Sequence, residues 1–226
     1  MIKIENIDVY GFEAAIRGAR NPMNSWDRMD SGYNNGEFEI GENDYKLLKN
    51  LTIAGPEHRK WNRMVTVTMD ITAPLYWWKE YDTYKVGTVA NSCSTMHKIQ
   101  AKEFTVDDFS YEHLLEPSYK CLCETIVLLN DARDIFNETK DKKYWWQMIQ
   151  LLPSSYNQKR TVMLNYEVLA NMYKSRRNHK LDEWHTLCDW IEKLPYSELI
   201  TGASLEDIPI CKEIMNEAKR RAKEEE

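Results

Sequence analysis

The sequence predicts an α+β fold, a helix-dominated single domain with a small antiparallel sheet. The alternation of apolar and polar residues from Met64 to Ile71 is typical of a half-buried strand. Most other apolar residues recur three or four positions apart, which is the spacing of helices that bury one face. The chain of 226 residues contains neither an internal repeat nor a linker, so we expect one domain over residues 1–226.

Apolar spacing and stop signals define the first elements. Residues 2–10 are predicted to form a strand, followed by a short helix over Glu13–Arg20. This helix ends at Asn21-Pro22, because proline disfavours a helical conformation in the residue before it. Residues 22–43 are rich in Gly, Asn, Asp and Ser, which indicates a long loop or a hairpin around Asn35-Gly36.

The middle of the chain combines a helix, the alternating strand and an aromatic segment. Leucines at helical spacing predict a helix over Tyr45–Ile53 that stops at Gly55-Pro56. After the strand, Pro74 suits the first turn of a helix that runs as far as Tyr84. The small polar residues from Thr88 to Thr95 predict a loop.

The remainder of the chain is predicted to be mainly helical. A long helix over Tyr119–Phe136 has a candidate N-terminal cap near Ser118. Further helices are predicted over Tyr144–Leu152, Arg160–Ser175 and Leu181–Leu194, and the charged residues 206–226 are predicted to form a terminal helix.

Composition excludes several functional classes. The net charge of −6 argues against a general nucleic-acid binder, so any bound phosphate must be held by a local cluster of basic residues. No apolar run approaches the roughly 18–20 residues that span a bilayer, and the first residues lack the pattern of a secretory signal. We therefore expect a cytoplasmic protein that does not enter a membrane. The five cysteines match neither a zinc pattern nor a disulfide framework, and there is no glycine-rich nucleotide loop.

Four segments follow one another in an informative order. They are Ala15–Arg20, Gly55–His58, Ile71–Tyr81, and the set Asn165, Glu167, Asn171, Arg176-Arg177 and Trp184. In this order they resemble the flavin-dependent thymidylate synthases: an early Arg-Ala-Ala-Arg, a flavin-contacting histidine after a glutamate, the helix that leads into the family signature, and the second signature. The resemblance covers residues 1–190, and several extra residues stand between His58 and Pro74.

The resemblance implies a synthase-like fold of the thymidylate synthase complementing type and the methylation of dUMP to dTMP. It implies FAD as cofactor, NADPH and methylenetetrahydrofolate as co-substrates, a nucleotide monophosphate as substrate, and a homotetramer. It assigns cofactor-binding roles to His58, Lys85, Asn165, Asn171 and Arg177, and substrate-binding roles to Glu80, Thr88, Asn91 and Arg176.

The chain departs from the family pattern where the chemistry takes place. The signature reads Arg-His-Arg, two residues, Ser, one residue, Asn-Glu, one residue, Ser, one residue, Arg. Without a gap, Thr83-Tyr84-Lys85 replaces Arg-His-Arg and Cys93 replaces the second Ser, whereas a shift of one residue places Asn91 on the Asn and Ser94 on that Ser. Cys93 and Ser94 are therefore the candidate catalytic residues facing the uracil ring. In the second signature, Glu167 replaces an Arg.

Lost positive charge is the main difficulty for this hypothesis, because FAD and dUMP together bring about four negative charges that guanidinium groups bind well. The synthase hypothesis requires basic side chains from distant segments to meet in one cleft, and the candidates are Lys85, Arg17, Arg20, Arg176 and Arg177.

Each candidate also has a structural interpretation. His58 fits a surface histidine, Lys85 a solvated lysine, and the loop around Cys93 a segment without chemistry. Arg176 and Arg177 also suit the C-terminal dipole of their helix, and the tryptophans 77, 78, 145 and 146 are expected to pack rather than to stack on a ligand. Two alternatives to the synthase stay open: a diverged relative that binds a nucleotide or flavin without synthase activity, and a structural or regulatory homo-oligomer.

Overall fold

The computed structural model describes residues 2–202, and the predicted terminal helix over residues 206–226 lies outside them. The described residues divide into two compact units. The first unit contains residues 2–7, Thr68–Met163 and Lys180–Thr186, and the second contains Asp8–Val67, Leu164–His179 and residues 187–202. The single domain over residues 1–226 stays a prediction.

Residues 2–202 contain six strands and eight α-helices. The strands are β1 (Lys3–Tyr10), β2 (Gly32–Asn34), β3 (Glu37–Glu39), β4 (Thr66–Pro74), β5 (Val89–Ser92) and β6 (Asn157–Asn165). The helices are α1 (Phe12–Arg20), α2 (Glu42–Ile53), α3 (Leu75–Tyr81), α4 (Glu116–Thr139), α5 (Lys142–Leu151), α6 (Tyr166–Arg176), α7 (Asp182–Ile191) and α8 (Glu198–Thr201). The predicted helix-dominated α+β fold is confirmed. None of these helices is both long and apolar enough to cross a bilayer.

The main sheet has four strands in the order β1-β4-β6-β5. Its strand β4 is the alternating segment of the sequence: Val67, Met69 and Ile71 are buried, and the residues between them are half-buried. Because successive side chains of a strand point to opposite faces, the apolar set covers one face of the sheet and the threonines and Asp70 cover the other. The predicted strand is confirmed.

Two strands correct the sequence prediction. The predicted loop Thr88–Thr95 contains β5, which pairs antiparallel with β6. All four residues of β5 are exposed, so no apolar alternation marks this strand, and its pairing alone defines it. The predicted helix over Arg160–Ser175 begins only at Tyr166, because residues 157–165 form β6.

Two helix boundaries also differ from the prediction. Pro74 is the last residue of β4, and the helix after it ends at Tyr81 rather than Tyr84. Helix α4 begins at Glu116, ahead of the predicted cap near Ser118, since a proline within the first turn is compatible with a helix N-terminus.

The predicted hairpin around Asn35-Gly36 is confirmed. Strands β2 and β3 pair antiparallel, with Tyr33 opposite Phe38. Asn35 and Gly36 have φ values of 51° and 88°, the left-handed pair that a tight two-residue hairpin turn requires.

Each unit has its own apolar core. In the first unit, α4 and α5 pack together over a cluster of buried side chains: Ile99, Phe104, Phe109, Leu122, Ile126, Leu129, Ala132 and Met148. In the second unit, the ring of Phe12 meets Tyr166 and Tyr196 edge-on, with centroid distances of 5.5 and 5.3 Å. The hydroxyl of Tyr166 donates to the carbonyl of Pro195 over 2.6 Å, which satisfies its polar end inside that core.

Candidate functional site

The loop that follows α3 in the first unit holds Lys85, Thr88 and Asn91. The hydroxyl of Thr88 donates to the carbonyl of Tyr84 and closes the turn that contains Lys85. The side chains of Lys85 and Asn91 are exposed, and Asn91 lies opposite Thr161 in the β5–β6 pairing. The strand thus fixes the position of Asn91, whereas Lys85 lies in a surface turn.

Cys93 follows β5 directly, and hydrogen bonds fix its backbone on both sides. Its N–H donates to the carbonyl of Lys159 over 2.9 Å, and its carbonyl accepts from Nε2 of Gln158 over 2.7 Å. The exposed Cys93 lines a pocket of about 360 Å³ together with Ser94, Lys98 and Lys159. No aspartate or glutamate is among the described lining residues, although the ammonium of Lys159 lies 3.1 Å from the carboxylate of Asp70.

Ser94 lines the same pocket, but its hydroxyl oxygen has a local structural role. It accepts from the N–H groups of Met96 and His97, both over 3.1 Å. Such a contact stabilises a turn in the way that serine caps a helix. Of the two candidate catalytic residues, Ser94 is therefore the one whose side chain already stabilises a turn.

A chain of polar contacts connects the end of α3 with the Cys93 segment. The guanidinium of Arg160 donates through Nη1 to Asp82 over 2.7 Å and through Nε to Oε1 of Gln158 over 3.0 Å. It also lies 4.2 Å from the ring centre of Trp78, in a cation–π contact. Because Gln158 is buried and both ends of its amide are bound, it holds the Cys93 carbonyl in a defined place.

Glu80 lies among the aromatic side chains of the first unit. Its carboxylate accepts from Nε1 of Trp184 over 3.2 Å. The ring of Trp184 lies 4.9 Å from that of Trp77, and both Trp77 and Trp78 are fully buried, which confirms their predicted packing role. Trp145 is half-buried and Trp146 is exposed.

Glu183, on the same helix as Trp184, is a buried carboxylate of the first unit. It accepts from the hydroxyl of Tyr76. Burial and this hydrogen bond raise the pKa of Tyr76, so the phenol stays protonated as the donor.

The second unit contains a larger cleft, of about 620 Å³. Its walls are the end of α2 with the turn after it, one face of α6, and α8. Helix α6 contributes Asn171 and Lys174, which share a face because they are three positions apart, and Arg177 follows the helix directly. The turn after α2 adds Arg59. The cleft is thus lined by three cations, with no aspartate or glutamate among its described lining residues.

Arg59 makes an ion pair with Glu167 inside the second unit. Nη2 of Arg59 lies 2.8 Å from Oε1 of Glu167, and the two side chains are 20% and 13% exposed. The amide of Asn62 donates to the other carboxylate oxygen over 3.4 Å. Arg59 therefore occupies a fixed position at the cleft wall.

Arg177 is held by two carboxylates of α7 and the turn that follows it. Its Nη1 lies 2.7 Å from Asp189, and its Nη2 lies 3.2 Å from Glu192. The hydrogen bond to Asp189 raises the pKa of Arg177, which keeps the guanidinium charged. Arg176, the neighbouring residue, is half-buried and does not line the cleft.

The other candidates of the second unit lie apart from this cleft. Asn165 is the N-terminal cap of α6, and its side chain accepts from the N–H of Val168 over 3.0 Å. His58 is exposed and lines a different depression, of about 540 Å³, next to Lys60 and Trp61. Arg20 is buried in an ion pair with Asp44, so it adds no charge to a ligand site.

The structure therefore brings the candidates together in two places. Cys93 and Ser94 share the pocket of the first unit, with Asn91 on the strand that leads to it. Asn171 and Arg177 share the cleft of the second unit. The meeting of Lys85 with Arg176 and Arg177 in one cleft stays a prediction.

Comparison with known proteins shows similarity at the level of structure. No protein-family model and no curated protein sequence matches the chain. Among solved structures it is similar to thymidylate synthase X from Helicobacter pylori with FAD and dUMP, with 15% identity and a TM-score of 0.62 over 89% of this chain and 97% of that one. A second Helicobacter pylori structure, described as a flavin-dependent thymidylate synthase complexed with FAD and dUMP, gives 16% identity and a TM-score of 0.62 over 88% and 97%. The UMP/dUMP methylase PolB from Streptomyces cacaoi, bound with 5-Br dUMP, gives 15% identity and a TM-score of 0.57 over 89% and 95%.

The chain has the fold of the flavin-dependent thymidylate synthases. Arg59 lies between His58 and Pro74, the segment in which the resemblance predicts extra residues, and Glu167 is predicted to stand where the second signature has an arginine. Their ion pair places a guanidinium beside position 167, although its source is a different segment of the chain.

Sequence reasoning about the synthase signatures gave no role to several residues that the structure places at or beside the two pockets. Arg59, Lys174, Gln158 and Lys159 line a pocket, and Arg160 donates to the side chain of Gln158. Lys174 carried a usable signal, because it lies three positions from both Asn171 and Arg177 on a helix. The others carried none, because Arg59 belongs to the unmatched residues and the last three were assigned to the wrong secondary structure or to a loop.

Proposed function

We propose that this chain is a flavin-dependent pyrimidine-nucleotide methylase that converts dUMP to dTMP. Its co-substrates are methylenetetrahydrofolate, which donates the carbon, and NADPH, which supplies the reducing equivalents. The observation that carries the proposal is the cleft of the second unit, where Asn171 and Arg177 of the second signature lie together with Arg59 and Lys174. The shared fold with synthases solved with FAD and dUMP supports it.

The residues present fit such ligands. A flavin diphosphate and a nucleotide monophosphate are anions, and a site for them needs donors of positive charge and few carboxylates. Three cations line the cleft of the second unit and two lysines line the pocket of the first, and neither described lining includes an aspartate or glutamate. Apolar side chains of the cleft, such as Ile53 and Leu199, suit the flat ring of a flavin or a base.

The proposal assigns a role to each candidate residue. Cys93 and Ser94 face the pyrimidine, and the positive charge of Lys98, which lines the same pocket, stabilises negative charge that develops on a ring carbonyl. Bound FAD, once reduced by NADPH, would supply the hydride that the methylation requires. The remaining roles are those of the resemblance: His58, Lys85, Asn165, Asn171 and Arg177 bind the cofactor, and Glu80, Thr88, Asn91 and Arg176 bind dUMP.

The proposal also includes a homotetramer in the cytoplasm. Light scattering of the purified protein after gel filtration measures the assembly directly. A monomer in the presence of FAD and dUMP would contradict the proposed homotetramer.

A second candidate is a diverged protein that binds a nucleotide or flavin without methylating it. The specific observation in its favour is that several family positions are occupied by internal contacts. Glu167 is paired with Arg59, Arg177 with two carboxylates, and Asn165 caps its own helix. A site whose polar groups satisfy one another has fewer of them left for catalysis.

One set of measurements separates the two candidates. The purified full chain is examined for the yellow colour of bound flavin and for uptake of added FAD, and is then incubated with dUMP, methylenetetrahydrofolate and NADPH. Mass spectrometry of the nucleotide measures dTMP. Flavin binding with dTMP formation that Cys93→Ala abolishes supports the methylase, whereas flavin or dUMP binding without dTMP supports the binder. A chain that takes up neither FAD nor dUMP contradicts both.

A further inference from the structure

We propose that the cleft of the second unit is a phosphoryl-binding site in which Arg59 and Lys174 contact the phosphoryl oxygens. The inference rests on the proposed function, because the phosphoryl group belongs to dUMP or FAD. Arg59 would thereby supply the guanidinium that the second signature lacks because Glu167 replaces its arginine.

The first argument is the placement of charge around the cleft. Arg59 and Arg177 line it, but the carboxylates that pair with them, Glu167, Asp189 and Glu192, do not. A guanidinium has five N–H donors, and these ion pairs use one or two of them. The carboxylates therefore hold each guanidinium from outside the cleft and leave donors for an anion within it.

The second argument concerns the order of Arg59. Its contact with Glu167 is short and mostly shielded from water, so the side chain is held in place before a ligand arrives. A donor that is already ordered loses less conformational entropy on binding. Moreover, Nε of Arg59 is buried without an acceptor among the described residues, so the Glu167 contact does not complete the hydrogen bonding of this guanidinium.

The third argument is Lys174. It is exposed on the same helix face as Asn171, and it has no ion pair within residues 2–202. Arg59 and Arg177 each pair with carboxylates, so Lys174 is the cleft cation that no described carboxylate pairs with. An ammonium binds phosphate as a point charge next to a planar guanidinium fork, and the two kinds of donor complement each other.

The test compares ligands that differ by their phosphate. Calorimetric titration of the full chain uses dUMP against deoxyuridine, FAD against riboflavin, and inorganic phosphate as the third probe. The variants are Lys174→Ala and the double variant Arg59→Gln with Glu167→Gln, which removes both charges of the ion pair and so avoids an unpaired carboxylate. Lys46→Ala is the matched control, because it removes an exposed positive charge of α2 that lines neither this cleft nor the depression of His58. Thermal unfolding of each variant checks that it is folded.

We expect the affinity for dUMP or FAD to fall about 10- to 100-fold in both test variants, which is the effect of losing a charge-assisted hydrogen bond. The affinity for deoxyuridine or riboflavin stays unchanged in these variants, and Lys46→Ala changes the affinity for none of the ligands. The ligand whose affinity falls identifies the source of the phosphoryl group. A fall in the affinity for inorganic phosphate alone supports the phosphoryl site but contradicts dUMP and FAD as its ligands.

Two results separate the inference from the proposed function. If the unmodified chain binds dUMP or FAD and both test variants bind it equally well, the phosphoryl site is overturned and the proposed function stands. If the unmodified chain binds neither dUMP nor FAD, the proposed function fails at that step.

Discussion

Nε of Arg20 donates to Oδ1 of Asp44 over 2.6 Å, and both side chains are buried in the second unit. The other carboxylate oxygen of Asp44 accepts from the N–H of Asp30 and from the N–H and hydroxyl of Ser31. One carboxylate thus connects α1, the loop after it and the start of α2. It also explains why Arg20, a residue of the resemblance, is not available to a ligand.

The substitution Asp44→Ala should lower the free energy of unfolding by about 3–5 kcal/mol, because it leaves the buried guanidinium of Arg20 without its partner. Urea unfolding followed by circular dichroism measures the loss. The control is Glu13→Ala, which breaks the exposed ion pair with Arg17 and should cost less than about 1 kcal/mol. Equal losses in the two variants would contradict a special role for the buried pair.

Gly41→Ala should destabilise the second unit by steric overlap. An alanine Cβ at this position would lie 2.3 Å from Cγ and 2.4 Å from Oδ1 of Asp30. That carboxylate accepts from the N–H groups of Asn43 and Asp44 at the start of α2, so it cannot move without loss of the helix cap. We expect a loss of about 1–3 kcal/mol in urea unfolding, typical of overpacking.

The matched control for Gly41 is Gly32→Ala. No described heavy atom other than its chain neighbours lies within 4 Å of the Cβ position at Gly32, and its φ lies outside the left-handed region. This variant should change stability by no more than about 0.5 kcal/mol. A comparable loss at both glycines would show that the overlap with Asp30 is relieved at little cost.

Asp70 should contribute stability that acid removes. Its pKa is lowered to about 2 by hydrogen bonds from the hydroxyl of Thr161, the amide of Asn6 and the ammonium of Lys159. Because the folded pKa lies below the unfolded value of about 3.9, the contribution is complete above pH 4 and disappears as the pH falls through 2.

The measurement is the stability difference between the unmodified chain and Asp70→Asn, taken by urea unfolding from pH 6 to pH 2. The difference should be constant down to the unfolded pKa and should shrink below it. Thr161→Val should raise the pKa of Asp70 and move this decline to higher pH. A difference that does not change over the whole range would contradict the assignment.

The cysteines should differ strongly in their reaction with iodoacetamide. Cys93 and Cys121 are exposed, whereas Cys188 is buried, and burial raises its pKa to about 11. Since the thiolate is the reactive form, Cys188 should stay unmodified at pH 8 in the folded protein while the other two react. Peptide mapping by mass spectrometry identifies the sites, and unfolding in urea should expose Cys188. Equal labelling of Cys93 and Cys188 in the folded protein would contradict this expectation.

The sequence predicted the elements whose pattern is local. Residues from Met64 to Ile71 alternate because one face of β4 is buried, and the turn at Asn35-Gly36 uses residues that favour positive φ. Strand β5 carries no such pattern, because all of its side chains are exposed and its pairing with β6 defines it. In β6, Val162 and Leu164 are buried at alternate positions. This alternation covers too few residues to be distinguished in the sequence from the helix that follows directly.

The candidate site was less predictable because its contacts join distant residues. The resemblance identified Asn171 and Arg177, which the structure places in one cleft. It gave no role to Arg59, whose partner Glu167 is 108 positions away. An ion pair of this kind follows from the folded chain alone, since neither residue carries a local signal for the other.

The β2–β3 hairpin has a practical consequence. Its base is tied to α2 through Asp30 and Ser31, while its tip at Asn35-Gly36 is fully exposed. Exposed loop tips with small polar residues are the positions where inserted sequence is best tolerated. Neither residue lines the cleft of the second unit, so an affinity tag or a fluorescent reporter placed between Asn35 and Gly36 would allow the protein to be immobilised for ligand screening.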